Sequence, residues 1–218
     1  MIHTVIFDMD GVIVDTEPVH HYAYDLHFKQ LNIPITPEMY ASFTGNSTKN
    51  IFERLKAEFN LEEDVQTLVE TKRNLFNDAF DSKEDLYLLD GVEDLIKELH
   101  ANGMQLVLAS SSATVTINRI FNRFGLHHYF THIVSGEDFP KSKPHPAIFQ
   151  HAAFLANTPV EQCIVIEDST NGVAAAKAAG IYCVGYDSVN SKLQDYSKAD
   201  KVISHFNELS FDVIRNIY

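Results

Sequence analysis

The chain has 218 residues, 45% of them hydrophobic and 22% charged, which is enough length and apolar content to bury a core without staples. Seventeen Lys and Arg against thirty Asp and Glu give a net charge of −13. An acidic surface repels phosphate backbones, which argues against nucleic-acid binding while leaving room for a local pocket that takes a small phosphorylated metabolite.

The two cysteines, Cys163 and Cys183, cannot build a disulfide framework and are expected as small apolar residues on buried strands. The first apolar run, Val5-Ile6-Phe7, stops at Asp8, too soon for a leader or a membrane span. The expectation is a soluble, cytoplasmic, monomeric protein with no membrane partner. The sequon Asn46-Ser47-Thr48 is then fortuitous.

Thr4–Phe7 is the first predicted strand. From Asp15 to Ser82 the texture becomes helical, with Phe28 and Leu31, then Ile51, Phe52 and Leu55, then Leu68, Leu75 and Phe76 at three- and four-residue intervals. Beyond it, strands and helices alternate. A helix over Glu93–His100 stops at Gly103, and the strand Gln105–Ala109 follows. A helix over Ala113–Phe124 stops at Gly125, before the strand His132–Val134. Thr158-Pro159-Val160-Glu161 reads as a capping box opening a helix, with proline at its first position. The strand Cys163–Ile166, an alanine-rich helix over Val173–Ala179, and the strands Tyr182–Gly185 and Lys201–Ile203 complete the set. This order predicts an α/β fold: a Rossmann-like parallel sheet with helices on both faces, plus an inserted helical segment.

In such sheets ligands sit at the carboxyl ends of the strands. The residues there are Asp8-Met9-Asp10-Gly11, Ser110-Ser111-Ser112, the loop Gly136–Pro146, and Glu167-Asp168-Ser169. Two carboxylates at i and i+2 on a buried strand end are costly as anions, unless a divalent metal joins them or one stays protonated. Glu167 and Asp168 add hard oxygen ligands of the kind magnesium prefers. Ser110 offers a hydroxyl to a phosphoryl group, and Lys143 a point charge, aimed by Pro144, which biases it toward an extended conformation. Ser111 and Ser112 read equally as phosphate contacts or polar turn residues. The adjacent pairs His20-His21 and His127-His128 cannot face one site, which argues against a histidine metal centre.

These residues fall in motifs. VIFDMDGVIVD (Val5–Asp15) resembles the opening motif of the haloacid dehalogenase superfamily of phosphohydrolases. LVLASSS (Leu106–Ser112), SKPHP (Ser142–Pro146) and IVIEDSTNG (Ile164–Gly172) resemble its second, third and fourth motifs, in order. The chain is most similar to the beta-phosphoglucomutase-like branch. That resemblance implies a core domain over 1–14 and 83–218 and a helical cap over 15–82.

It also implies roles. Asp8 is the nucleophile that forms an aspartyl-phosphate, and Asp10 the acid and then the base. Ser110, with Ser111 beside it, and Lys143 hold the phosphoryl group. Asp8, Asp10 through its backbone carbonyl, and Asp168 bind Mg2+, with Glu167 binding directly or through water. Thr16 and His20 match cap-hinge positions, Gly45 the cap-loop glycine, and Lys72 a substrate-facing cap lysine, although a lysine on a charged helix reads equally as solvated.

The departures bear on substrate. Mutases of the branch carry an arginine where this chain has Thr48, with Lys49 next to it, and a lysine where it has Ala113. Ala147 stands where an acid often caps a helix. With both phosphate-gripping cations gone, the reading is a magnesium-dependent phosphatase acting on a small phosphate monoester, a sugar phosphate. The alternative is a beta-phosphoglucomutase-type isomerase. Further behind stand an inorganic pyrophosphatase and a phospho-accepting signalling module, against which the helical insertion and Asp10 both argue.

Overall fold

The computed structural model describes residues 1–188 and 193–217. Its centre is a six-stranded parallel sheet, and its strands are apolar on both faces because both faces are covered. In chain order the elements are β1 (Thr4–Phe7), α1 (Glu17–Leu31), α2 (Pro37–Ala41), α3 (Thr48–Phe59), α4 (Val65–Ser82), α5 (Val92–Ala101), β2 (Gln105–Ser110) and α6 (Thr114–Phe124). There follow β3 (His132–Ser135), α7 (Ala147–Leu155), β4 (Cys163–Glu167), α8 (Thr170–Ala178), β5 (Tyr182–Tyr186), β6 (Lys201–Ile203) and α9 (Phe211–Arg215). The sheet order is β3-β2-β1-β4-β5-β6.

Side chains alternate across the sheet, as the two-residue strand period demands. Val5, Phe7, Leu106, Leu108, Ile164 and Ile166 pack with α5, α6 and α9 on one face. Ile6, Val107, Ala109, Cys163, Val165 and Cys183 pack with α7 and α8 on the other. Both cysteines are free and buried.

Helices α1 to α4 fill the interval between β1 and α5 and have an apolar cluster of their own, built around Tyr24, Phe28, Phe43, Phe52, Leu55 and Leu68. One end of the α1–α4 pair is rooted elsewhere. Val19, Ala23, Phe76 and Phe80 belong to the main core, so the insertion is anchored through the same apolar mass that covers the sheet.

His27 lies inside the insertion, 3% exposed, its ring against Phe52 and its Nδ1 without a hydrogen-bond partner among the described residues. Burial lowers its pKa below the ordinary 6.5. A histidine kept neutral when folded but titrating normally when unfolded contributes stability above pH 6.5 that is lost as pH falls through that value. His27→Phe should therefore flatten the decline of the thermal midpoint between pH 7 and 5, measured by circular dichroism. An equally steep decline in the variant would place the sensitivity elsewhere.

Two local expectations are corrected. Thr158 does not cap a helix: Val160–Gln162 is a single 3-10 turn with Pro159 at its cap and no side-chain cap bond. The Thr158 hydroxyl instead donates to the Ala156 carbonyl at 3.1 Å and pairs with Thr4 Oγ1 at 2.8 Å, because only three residues separate Pro159 from β4. Helix α8 begins three residues before its expected start, at Thr170, with Ser169 Oγ accepting the Gly172 N–H at 3.0 Å. Helix α7 had no readable stripe in the sequence, being apolar over most of its length, and Pro146 at its cap makes no side-chain bond.

Candidate active site

Phe7 stands level with Leu108 of β2 and Ile166 of β4. The residues that follow on the three strands therefore emerge side by side: Asp8, Ala109-Ser110 and Glu167-Asp168. Chain order reverses between β1 and β4, so this is the crevice where open parallel sheets place their ligands.

Lys143 Nζ lies at the centre. It donates to Asp8 Oδ1 at 2.5 Å, to Glu167 Oε1 at 2.7 Å and to the Ala109 carbonyl at 3.1 Å, which uses all three of its hydrogens. Its side chain is fully buried, over the Phe149 ring, and its peptide bond to Pro144 is cis. Burial alone would depress this ammonium, but the charges and hydrogen bonds of Asp8 and Glu167 raise it. Burial pushes the Asp8 carboxyl up, with Glu167 and Asp10 adding to the rise, while the charge and hydrogen bond of the Lys143 ammonium 2.5 Å away favour its ionised form.

Glu167 is placed by α8. Its Oε2 accepts the Ser169 N–H at 3.0 Å and the Ser169 hydroxyl at 2.9 Å, at the positive end of a helix. Gly172 makes this fit, since a Cβ there would lie 1.8 Å from the Glu167 carboxyl carbon.

Asp10 has a different set of partners. Its Oδ1 accepts the Thr16 hydroxyl and meets His20 Nε2 at 3.2 Å, and its Oδ2 accepts the Ser112 hydroxyl at 2.7 Å. Burial would raise this carboxyl, but the charge and hydrogen bond of His20 and the two hydroxyls outweigh it and hold Asp10 well below the usual carboxylate range. His20 Nδ1 in turn lies 2.6 Å from Lys72 Nζ. Lys72 is 2% exposed, above the Tyr24 ring, so the reading of it as a solvated helix residue is wrong. Burial carries Lys72 down to about 7 despite Asp10 and Glu17, and burial together with Lys72 lowers His20.

The loop between α2 and α3 closes over these groups. Gly45 presents its carbonyl to the Ser111 hydroxyl at 2.8 Å. Asn171 Nδ2 donates to the Thr44 carbonyl at 2.8 Å, and Ser142 is bonded to both Asn46 and Asn50. Beneath lies a cavity of ≈ 60 Å³ lined by Asp8, Asp10, His20, Lys72, Ser111 and Asp168, among others. It adjoins a second of ≈ 260 Å³ that shares His20, Thr48, Lys72, Ser111 and Ser112.

Gly45 has φ +78, and a Cβ there would lie 2.4 Å from Ser169 Oγ. Gly45→Ala is therefore expected to hold the loop off the site and lower kcat/KM by about 10²-fold, the usual cost of misplacement near 1 Å. Steady-state kinetics alongside a melting curve check this; an unchanged kcat/KM would show that the approach is not needed.

Residues 5–186 match the haloacid dehalogenase-like hydrolase family. The chain belongs to that family. It is 31% identical over 181 residues to the phosphorylated carbohydrates phosphatase of Thermotoga maritima, covering 81% of each chain. It is 30% identical over 186 residues to the phosphoglycolate phosphatase of Pseudomonas fluorescens, covering 83% of this chain and 67% of that one. Among solved structures, the beta-phosphoglucomutase of Clostridium difficile superposes with a TM-score of 0.86 at 30% identity, over 99% of this chain and 96% of that one. The protein is a hydrolase of α/β haloacid dehalogenase fold, with beta-phosphoglucomutase-like architecture.

The donors around this hydrolase's cavity suit a hard divalent cation. Asp8, Asp10, Glu17 and Asp168 line it, with Lys72 as the cationic side chain among the lining residues, so the site is short of positive charge. Among the described residues no three Asp, Glu, His or Cys side chains form a ready-made metal cage. Lys143 stands between Asp8 and Glu167, both Glu167 oxygens are engaged, and the Asp10 carboxylate faces Thr16, His20 and Ser112. Asp8 and Asp168 both line the cavity and are the kind of carboxylates that suit a cation that keeps most of its water, as magnesium does.

Of the expected site residues, Asp8, Asp10, His20, Gly45, Lys72, Ser111 and Asp168 line the cavity. Thr16, Lys143 and Glu167 support it from behind. Ser110 is fully buried and accepts the Ser112 N–H at 3.1 Å. Sequence reasoning gave Ser112 no definite place and missed Glu17, Tyr24 and Tyr40, which also line the cavity. Glu17 in a helix's first turn reads as an acid complementing the dipole, which masked it. No helix among the described residues is long and apolar enough to cross a membrane.

Proposed function

We propose that this hydrolase is a magnesium-dependent phosphatase that cleaves a small sugar phosphate through an aspartyl-phosphate on Asp8, with residues 15–82 as a cap over a core of 1–14 and 83–218. The reading is carried by one observation: Asp8 ends β1 with the Lys143 ammonium 2.5 Å from its Oδ1, and Asp10 and Asp168 share its cavity.

Asp8 attacks phosphorus in line as the bond to the ester oxygen breaks. Asp10 gives that oxygen a proton, then takes one from the water that attacks phosphorus and frees Asp8, releasing orthophosphate. Asp10 rests ionised, and a dianionic ester beside it raises its proton affinity. The Lys72–His20–Asp10 chain is arranged to supply the proton: Lys72 to Nδ1, Nε2–H to Asp10. Lys143 keeps Asp8 oriented and offsets the charge gathered there, and Ser110 gives a hydroxyl donor to the phosphoryl oxygens, with Ser111 beside it at the cavity wall. Asp8, Asp168 and the Asp10 carbonyl would hold magnesium, which would supply positive charge against the phosphoryl oxygens. Closure over Gly45 excludes water until the ester is seated.

The second reading, a beta-phosphoglucomutase-type isomerase, is favoured by likeness to the Clostridium difficile structure. Thr48 and Ala113 argue against it. Both line the ≈ 260 Å³ cavity, where neither supplies a cation to a second phosphate, and Lys49 and Arg73 in the same wall are paired with Glu53 and Glu137. Phosphorus NMR of the protein with magnesium and a panel of sugar phosphates, beta-glucose 1-phosphate included, separates the two. Growth of orthophosphate supports the phosphatase, and conversion of one ester into another without orthophosphate supports the mutase.

A further inference from the structure

Glu17 is the one acid at the cavity to which the mechanism gives no task. It opens α1, directly after the loop that carries Asp10 and Thr16. It lines both the catalytic cavity and an outer pocket of ≈ 340 Å³, and Tyr40 and Thr44 line both with it. A substrate held by its phosphoryl group on Asp8 shares this cavity with Glu17.

Among the described residues no hydrogen bond is formed by the Glu17 carboxyl, and burial, with Asp10 and Asp15 adding to it, pushes that carboxyl up to about 7 against the pull of Lys72. Its nearest cation has other partners: Lys72 Nζ lies on His20 Nδ1 at 2.6 Å and over the Tyr24 ring at 4.4 Å. Glu17 is felt by the Tyr24 and Tyr40 phenols, which burial raises so that both keep their protons. The wall that Glu17 shares with them is thus one carboxyl and two phenols. A carboxyl half-withdrawn from water without a partner is unfavourable unless something supplies one. The cations of the neighbouring cavity are also engaged, Arg73 with Glu137 and Lys49 with Glu53 at 3.9 Å.

We infer that Glu17 is a specificity-determining residue that selects esters whose alcohol carries neutral hydroxyl groups and rejects those with a second acid. Substrate hydroxyls donate to its oxygens, while a carboxylate or second phosphate in the same place meets the ionised carboxyl, with Asp10 beside it, as like charge. This rests on the phosphatase reading and deepens it, because it distinguishes a polyol or sugar monophosphate from an acid such as phosphoglycolate.

The test is kcat/KM of the full chain with magnesium on sorbitol 6-phosphate, glucose 6-phosphate and phosphoglycolate, for the wild type, Glu17→Gln and Glu17→Ala. The ratio of hydroxylated to acidic ester cancels any loss common to all substrates. The wild type should favour the hydroxylated esters by about ten- to a hundredfold, the scale of a hydrogen bond to a charged group. Both variants should shrink that ratio about tenfold or more, Glu17→Gln through relief of repulsion toward phosphoglycolate. A wild type that prefers phosphoglycolate, or a ratio unchanged in both variants while orthophosphate release persists, overturns this inference and leaves the phosphatase reading standing. Absence of orthophosphate from every ester overturns both.

Discussion

Asp8→Asn should abolish turnover, with a loss on the order of 10⁵-fold, as when other covalent nucleophiles are removed. Asp8 is the first residue past β1, level with the ends of β2 and β4, and the Lys143 ammonium holds one of its oxygens. An asparagine fits the same space and still accepts from Lys143, so the fold should persist while the attacking oxygen anion is gone. Orthophosphate release, measured with the variant's circular dichroism spectrum, checks it. Near-native release would assign the nucleophile to another group.

Lys143→Met is expected to be the most destabilising single change in the site. Lys143 and Glu167 are each about 1% exposed and Asp8 is 6% exposed. Removing the ammonium leaves two carboxylates to share a dry space. Breaking such a buried pair costs about 3–5 kcal/mol, a large part of a domain's total stability. Urea denaturation measures it, with Lys141→Met, at an exposed neighbour, as the control that should change little. Adding Glu167→Gln to Lys143→Met removes one orphaned charge and should restore part of the loss. No restoration would mean that packing over Phe149, rather than charge, explains the effect.

The sheet and the acids were legible for one physical reason. A parallel strand buried on both faces reads as an apolar run, and a run that ends abruptly in Asp or Glu marks where the chain meets its ligand. Thr4–Phe7 before Asp8, and Cys163–Ile166 before Glu167, are such runs. Lys72 was half legible. Leu68, Val69 and Phe76 place it on the buried stripe of α4, but a lysine between Thr71 and Arg73 reads as solvated until Asp10, Glu17 and His20 are seen around it.

What brings distant segments together was not legible. Gly45 against Ser169, Ser142 against Asn46, and the pairing of Glu137 with Arg73 depend on where the insertion lands, and no local pattern encodes that. Thr158 failed for a related reason: its capping-box pattern was correct, but Thr4, 154 positions away in the chain, shares its hydrogen bond.

The central claim is that Asp8 carries the phosphoryl group in turnover. Rapid acid quench of the protein mixed with magnesium and a hydrolysed sugar phosphate, followed by mass spectrometry of the digested chain, tests it directly. The expected result is a peptide spanning Asp8 heavier by one phosphoryl group, transient in the wild type, longer-lived in Asp10→Asn and absent in Asp8→Asn. Steady orthophosphate release with no phosphorylated Asp8 peptide at any time in either the wild type or Asp10→Asn would contradict the account and point to direct attack by water.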